Sequence, residues 1–331
     1  MTLPLLSCLR HGYPDAMITV FCRDGVRELF QSCPAVNRVY DLLPIPPHLR
    51  TRPEVLEHFQ HFRSVHGGGF DLVINPRPAP DWYLTGHYVE TLADAKRVGF
   101  AQTLLVDGYD PAPAYTMLLP LPPEGEHPVL AGGRVCAALG LETYRPCPSL
   151  RPGLAARAWS QHLMGNEAWV ALGIGAADHY RRWPSENFQA LCRQLRHWSF
   201  RVVLVGTEQD TEAARSMTEA APDAVLDLTG NTSLDQLAAV LSGCRLFIGN
   251  DSGPKHIAAA VGTRVVEIGC YSPLMPGFSY ERYFDAVGVP QRRLLPEEMF
   301  TREDMEAGRA IASITVGRVV AAAHEMLKSE T

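Results

Sequence analysis

The feature that most constrains this fold is the regular exchange of short apolar runs with amphipathic stretches in the second half of the chain. Ala168–Gly175 (AWVALGIG), Phe200–Gly206 (FRVVLVG), Ala224–Gly230 (AVLDLTG), Arg245–Asn250 (RLFIGN) and Thr263–Gly269 (TRVVEIG) all have strand length and strand composition. Between them, Ser185–Trp198 carries apolar residues at helical spacing behind Pro184, and Thr211–Ala221 continues the alternation. Ser233 and Gln236 have the spacing of a capping box that opens a further helix. Strands alternating with helices in this way predict a doubly wound parallel sheet, and ligands of such sheets bind outside the carboxyl ends of the strands.

The first half repeats the pattern less clearly. Ala16–Cys22, Val36–Leu42 and Phe70–Asn75 read as strands, Gly25–Cys33 and Val129–Leu141 as helices. A chain of 331 residues is too long for one ordinary core and comfortable as two α/β domains of about 150 residues each. Turn residues over Pro146–Pro152 place the junction there, giving domains over 1–155 and 156–331. Ile314–Leu327 reads as a terminal helix, assigned to the second domain and long enough to reach back to the first.

Charge and cysteine usage exclude several function classes. The formal net charge of −6, with no basic run, argues against a nucleic-acid partner, which needs concentrated positive charge. The eight cysteines are scattered, mostly in apolar segments and never as C-x-x-C, so free thiols in a reducing compartment are expected rather than disulfides or zinc. No basic, apolar and cleavable leader opens the chain, and no apolar run approaches the roughly 18 residues of a membrane span. A cytoplasmic protein is expected, at most peripheral to the inner membrane at its cytoplasmic face. The sequence leaves its oligomeric state open.

The most informative stretch is Phe247–Gly262 (FIGNDSGPKHIAAAVG). An apolar strand runs into a helix, with Asp251 or Ser252 as the N-cap, Pro254 near the first turn and Gly262 at the stop. The first amides of such a helix, those of Gly253 and Lys255 among them, have no intrahelical acceptor, and the helix dipole adds to their pull on an anion. Gly253 allows close approach of a ligand, while Lys255 and His256 add a cation and a hydrogen-bond donor suited to a diphosphate. An ordinary capped helix with a polar first turn explains the same residues, and their chemistry alone does not choose between the two.

Asp251, Ser252, Gly253, His256, Ala258 and Ala259 match the D-[TS]-G-x-x-H-x-A-A signature of the bacterial lipopolysaccharide heptosyltransferases, glycosyltransferase family 9, which the chain resembles. Leu228–Cys244 resembles the family's L-x-G-x-[TM]-S-L segment, Gly173–Leu191 its phosphate-binding loop ending in K-R-W-P, and Thr2–Leu42 its second N-terminal unit. The resemblance implies a GT-B fold, two Rossmann-like domains facing a cleft, with an ADP-sugar held by the second. It places Asp251, Ser252, Gly253, Lys255 and His256 at the donor. It adds Arg181 at the phosphates where relatives carry Lys, Thr232 near the adenine, and Glu208 or Asp210 at the ribose or sugar. Arg182 is a weaker phosphate candidate and Trp183 is expected to pack. Arg77, after an N-terminal strand, is the acceptor candidate, while His87, Lys96 and Arg97 read as surface residues.

One departure bears on catalysis. In the family a first strand and a Gly-Asp pair precede Thr-Leu-Pro, and that Asp is the expected general base. Here Thr2-Leu3-Pro4 follows Met1 directly. Three explanations stay open: residues upstream of Met1 carry the Asp, another group such as Asp15, His11 or Asp81 replaces it, or the protein binds donor without transferring sugar. The activity implied is inverting glycosyl transfer without a metal or other cofactor, from a nucleotide-sugar donor, ADP-heptose by resemblance, to a saccharide or glycolipid acceptor such as lipopolysaccharide inner core. Leaving-group charge would fall to helix amides and Arg181, so no D-x-D is required. Transfer from another donor, or to a natural product, fits the same residues.

Overall fold

The computed structural model describes residues 2–92, 96–102, 104–123, 126–219, 222–270 and 285–328. The chain divides into two compact units: Met1–Arg27 with Pro34–Pro146, and Glu28–Cys33 with Cys147–Thr331.

The N-terminal unit contains α1 (Leu3–Gly12), β1 (Thr19–Cys22), β2 (Arg38–Asp41), α2 (Pro53–His66), β3 (Leu72–Ile74), α3 (Thr85–Leu92), β4 (Lys96–Phe100), β5 (Met117–Leu119) and α4 (Val129–Ala138), labelling only helices of eight or more residues. Its strands are parallel but form two sheets, β1-β2 and β3-β4-β5. The two pieces share their cores. Phe21 of β1 and Val73 of β3 pack with Phe59 and Phe62 of α2 and Tyr88 of α3. On the other face, Ile18 joins Leu72 and Ile74 against Leu5 and Leu9 of α1 and Val135 of α4. Among the described residues β1 pairs only with β2 and β3 only with β4, so each leaves one edge open within a common helical sandwich. Lys96–Phe100, whose Lys96 and Arg97 read as surface residues, is strand β4. Its Val98, Gly99 and Phe100 are buried, and Gly99 lies so close to the Tyr115 ring that a Cβ would stand 2.4 Å from it.

The C-terminal unit contains α5 (Leu154–Met164), β6 (Trp169–Gly173), α6 (Ser185–His197), β7 (Arg201–Val205), α7 (Thr211–Glu219), β8 (Val225–Asp227), α8 (Leu234–Ser242), β9 (Cys244–Asn250), α9 (Gly253–Ala260), β10 (Arg264–Ile268), β11 (Gln291–Leu294) and α10 (Val316–Lys328). One parallel sheet runs β11-β10-β9-β6-β7-β8. β6 is buried at all five positions, as expected of a central strand covered on both faces. The terminal helix α10 packs on this sheet, with Val319, Ala322, Ala323 and Met326 in its core beside Leu191, Leu246 and Val266. All eight cysteines are free thiols, six of them buried. Among the described residues no helix is long and apolar enough to cross a membrane.

Candidate functional site

Four strands of the C-terminal sheet deliver their following loops to one edge, because parallel strands end on the same side. The loop after β6 carries Arg181, that after β7 Glu208, that after β8 Thr232, and β9 leads into Asp251–His256. Glu208 is exposed and Thr232 half-buried. Gly230 joins the β7 and β8 loops. Its backbone turns at φ 70°, its amide donates to Gly206 at 3.1 Å, and a Cβ there would stand 3.0 Å from the Glu208 Cα. A side chain at this position would press the two loops apart.

The start of α9 is built to receive something. Ser252 takes the N-cap position in extended conformation, but its hydroxyl donates to the Asn250 carbonyl at 3.2 Å rather than accepting from the helix. Asp251 does not cap either: its carboxylate is buried against Lys255 and Arg181. The first turn therefore has no side-chain cap, and Gly253, exposed with open space at its Cα, heads it. Pro254 has no N–H and the Lys255 amide, expected to point outward, donates to the Ser252 carbonyl at 3.3 Å, so it is the Gly253 amide that stands at the positive end of the helix, where an anion is favoured.

Lys255 corrects an expectation. It is fully buried, and its ammonium binds the Asp251 carboxylate and, at 2.9 Å, Glu267 of β10. A cation taken out of water needs this compensation, and its position one turn after Asp251 points it at the sheet. It therefore holds the loop from behind, and Asp251 acts with it as a brace. Burial pushes the Asp251 carboxyl up, but Lys255, Arg181 and His256 outweigh that and hold it below the ordinary carboxylate range. At Glu267 burial prevails, and the carboxyl is raised in spite of Lys255 and Arg293.

Arg181 lies in the loop after β6, beside Asp251. Its guanidinium donates to Asp178 at 2.6 Å and, at 3.4 Å, to the Asp251 carbonyl, with the Asp251 carboxylate at 3.5 Å. Arg182 turns inward instead, donating to Ala176 O at 2.8 Å and pairing with Asp210 at 3.3 Å. Asp210 is buried and accepts from both the amide and the hydroxyl of Thr207, so its carboxylate is engaged within its own turn rather than turned to the edge. Asn250, fully buried, ties the loops together: its amide donates to Ile174 O at 2.8 Å and its oxygen accepts from Trp183 N at 3.0 Å. Trp183 packs, as expected, with its indole on Ile314 O. Sequence reasoning passed over Asn250 and Glu267. An acidic residue in the middle of the apolar run VVEI was the available signal for Glu267.

In the N-terminal unit, Arg77 is exposed just past the carboxyl end of β3. Asp81 is buried, and its two oxygens accept from the amides of Tyr83, Thr85 and Gly86, making it the cap of α3. Asp15 is exposed in the turn entering β1, and His11 ends α1, so both stand at the amino end of β1 rather than its carboxyl end. Asp15 and His11 thus lie away from the sheet's ligand edge, and Asp81, although it follows the carboxyl end of β3, has both oxygens engaged by backbone amides. Among the described residues no group of three or more His, Cys, Asp and Glu side chains is placed to hold a metal ion.

The model of glycosyltransferase family 9 (heptosyltransferase) matches residues 59–281, more than half of the chain. The chain belongs to this family. It is 25% identical to lipopolysaccharide heptosyltransferase 3 of Escherichia coli over 286 residues, covering 81% of this chain and 78% of the relative. Against lipopolysaccharide heptosyltransferase 2 of E. coli K12 identity reaches 33%, over 103 residues that cover 30% of this chain and 29% of the relative. The crystal structure of a family 9 glycosyltransferase from Veillonella parvula superposes with a TM-score of 0.80 at 20% identity, covering 99% of this chain and 93% of that one. An E. coli heptosyltransferase solved with ADP gives 0.71 at 18% identity, over 98% and 95% of the two chains. The GT-B fold class and the assignment as a glycosyltransferase follow.

Proposed function

We propose that the enzyme is an inverting, metal-independent heptosyltransferase that moves heptose from ADP-heptose to a hydroxyl of a saccharide or glycolipid acceptor, such as lipopolysaccharide inner core. The observation that carries this reading is the uncapped start of α9 at the carboxyl edge of the sheet, with Arg181 beside it. Such a site supplies the positive end of a helix, headed by the Gly253 amide, and one cation to a diphosphate, which suits a leaving group that gathers charge as the glycosidic bond breaks. Thr232 and Glu208, on the neighbouring loops, are assigned to the adenosine side of the donor, and His256 to the sugar-phosphate side. Arg77 is the acceptor residue. The base that takes the acceptor's proton is assigned to none of Asp15, His11 and Asp81.

Relatives support the donor and acceptor. The E. coli proteins named above are lipopolysaccharide heptosyltransferases, and one solved family structure holds ADP-2-deoxy-2-fluoro heptose. The test is transfer itself: purified protein with ADP-heptose and a heptose-acceptor core oligosaccharide, followed by mass spectrometry and by NMR of the new anomeric centre. One added heptose with inverted configuration, unchanged by EDTA, is expected. Transfer only from a UDP- or GDP-sugar, retention of configuration, or loss of activity on chelation would each overturn the corresponding part of the reading.

A further inference from the structure

Behind the donor edge runs a line of side chains that alternates in sign. Arg293 pairs with Asp285 at 2.9 Å and with Glu267 at 3.0 Å, Glu267 with Lys255 at 2.9 Å, Lys255 with Asp251, Asp251 with Arg181 at 3.5 Å, and Arg181 with Asp178 at 2.6 Å. Lys255 is 0%, Glu267 2% and Asp251 6% exposed. Burying three charges in succession is expensive, and a packed apolar side chain at Lys255 would often be as stable. The line therefore invites a functional account.

Its geometry supplies one. Lys255 takes one oxygen of the Asp251 carboxylate, and the other faces Arg181 across 3.5 Å, beyond good hydrogen-bond distance. Asp178, the second carboxylate at Arg181, has a side chain 46% exposed, so solvent screens that pair. Of these two carboxylates the buried one would hold the guanidinium more strongly, and Lys255 already neutralises it. We propose that Lys255, backed by Glu267, is a positioning residue that neutralises Asp251, so that Arg181 is held at the strand edge yet remains available to the donor's phosphates. Without Lys255, Asp251 is a buried carboxylate short of its main counter-charge. It closes on Arg181 as a tight, bidentate pair, and the guanidinium is withdrawn from the ligand. This rests on the donor reading given above.

The test is a double-mutant cycle of Arg181→Ala and Lys255→Met, reading the Kd of ADP and of adenosine by calorimetry. Each single variant weakens ADP binding about tenfold or more and leaves adenosine within about threefold of the wild type. With Arg181 already removed, Lys255→Met adds less than about threefold, because the residue through which it acts is gone. Additive losses, or equal losses for ADP and adenosine, would overturn the proposal and leave Lys255 a structural residue. Where Lys255→Met does not fold, the charge-neutral pair Asp251→Asn/Lys255→Met is used. It folds and binds ADP at least fivefold more tightly than Arg181→Ala, whereas binding as weak as Arg181→Ala overturns the proposal. A wild type that binds no ADP defeats the donor reading itself and this inference with it. A wild type that binds ADP with an additive cycle defeats only the inference.

Discussion

The two units solve the same α/β problem to different degrees. In the C-terminal unit six strands form one sheet, and its central strand β6 is buried at every position. In the N-terminal unit the strands split into a pair and a triplet, and β1 is only half-buried along its length. Asn250, Trp183 and the Lys255 line tie the loops of the C-terminal edge to the core. A donor site needs such preorganisation, because amides aimed at a leaving group must not reorganise when its charge appears. Among the described residues β1 and β3 each keep one open edge, so the N-terminal unit carries its loops on a less complete frame.

Breaking the braced unit gives the largest effects. Lys255→Met leaves Asp251 and Glu267 buried without their shared cation, and is expected to destabilise the C-terminal unit by about 3–5 kcal/mol in urea unfolding. Asn250→Ala strands the Trp183 amide and the Ile174 carbonyl, with an expected loss of about 2–3 kcal/mol and weaker ADP binding through the displaced loop. In the N-terminal unit, Asp81→Ala removes the α3 cap and is expected to cost about 1 kcal/mol without altering ADP binding. A loss of ADP affinity in Asp81→Ala would contradict the division of labour between the units.

Two smaller effects sharpen the contrast. Hydrogen exchange is expected to be faster at β1 and β3 than at β6 and β9, since strands with one open edge open at lower free energy. Acid sensitivity has a definite sign at Asp251. Its folded value lies below the ordinary carboxylate range, so its stabilising contribution is present above the unfolded value of about 3.9 and is lost as pH falls through the folded one. Calorimetric scans from pH 7 to 3 should show this decline, and Asp251→Asn, which removes the titrating group, should lack it.

The same contrast explains what was legible in the sequence. Strands buried on both faces appear as unbroken apolar runs, so β6, β7, β9 and β10 could be read directly, as could the capping box at Ser233. The edge loops followed, because a parallel sheet puts its carboxyl ends together. The short N-terminal strands were harder: Lys96–Phe100 opens with two cations and was indistinguishable from a loop until β3 and β5 flanked it. Lys255 was misread for a tertiary reason. Its sequence position marks a helix start, while its environment is set by Glu267, which lies on the adjacent strand. Asp210 shows the same limit, as its partner Arg182 comes from the loop after another strand.

The central claim is that the edge formed by α9 and Arg181 binds an adenine nucleotide through its phosphates. The most direct test is calorimetric titration of the purified protein with ADP, UDP and GDP, repeated with Arg181→Ala and His256→Ala. Tighter binding of ADP than of UDP or GDP, weakened about tenfold or more by either substitution, is the result predicted. Binding of none of the three, or ADP binding indifferent to both substitutions, would contradict the account and return α9 to a helix with a polar first turn.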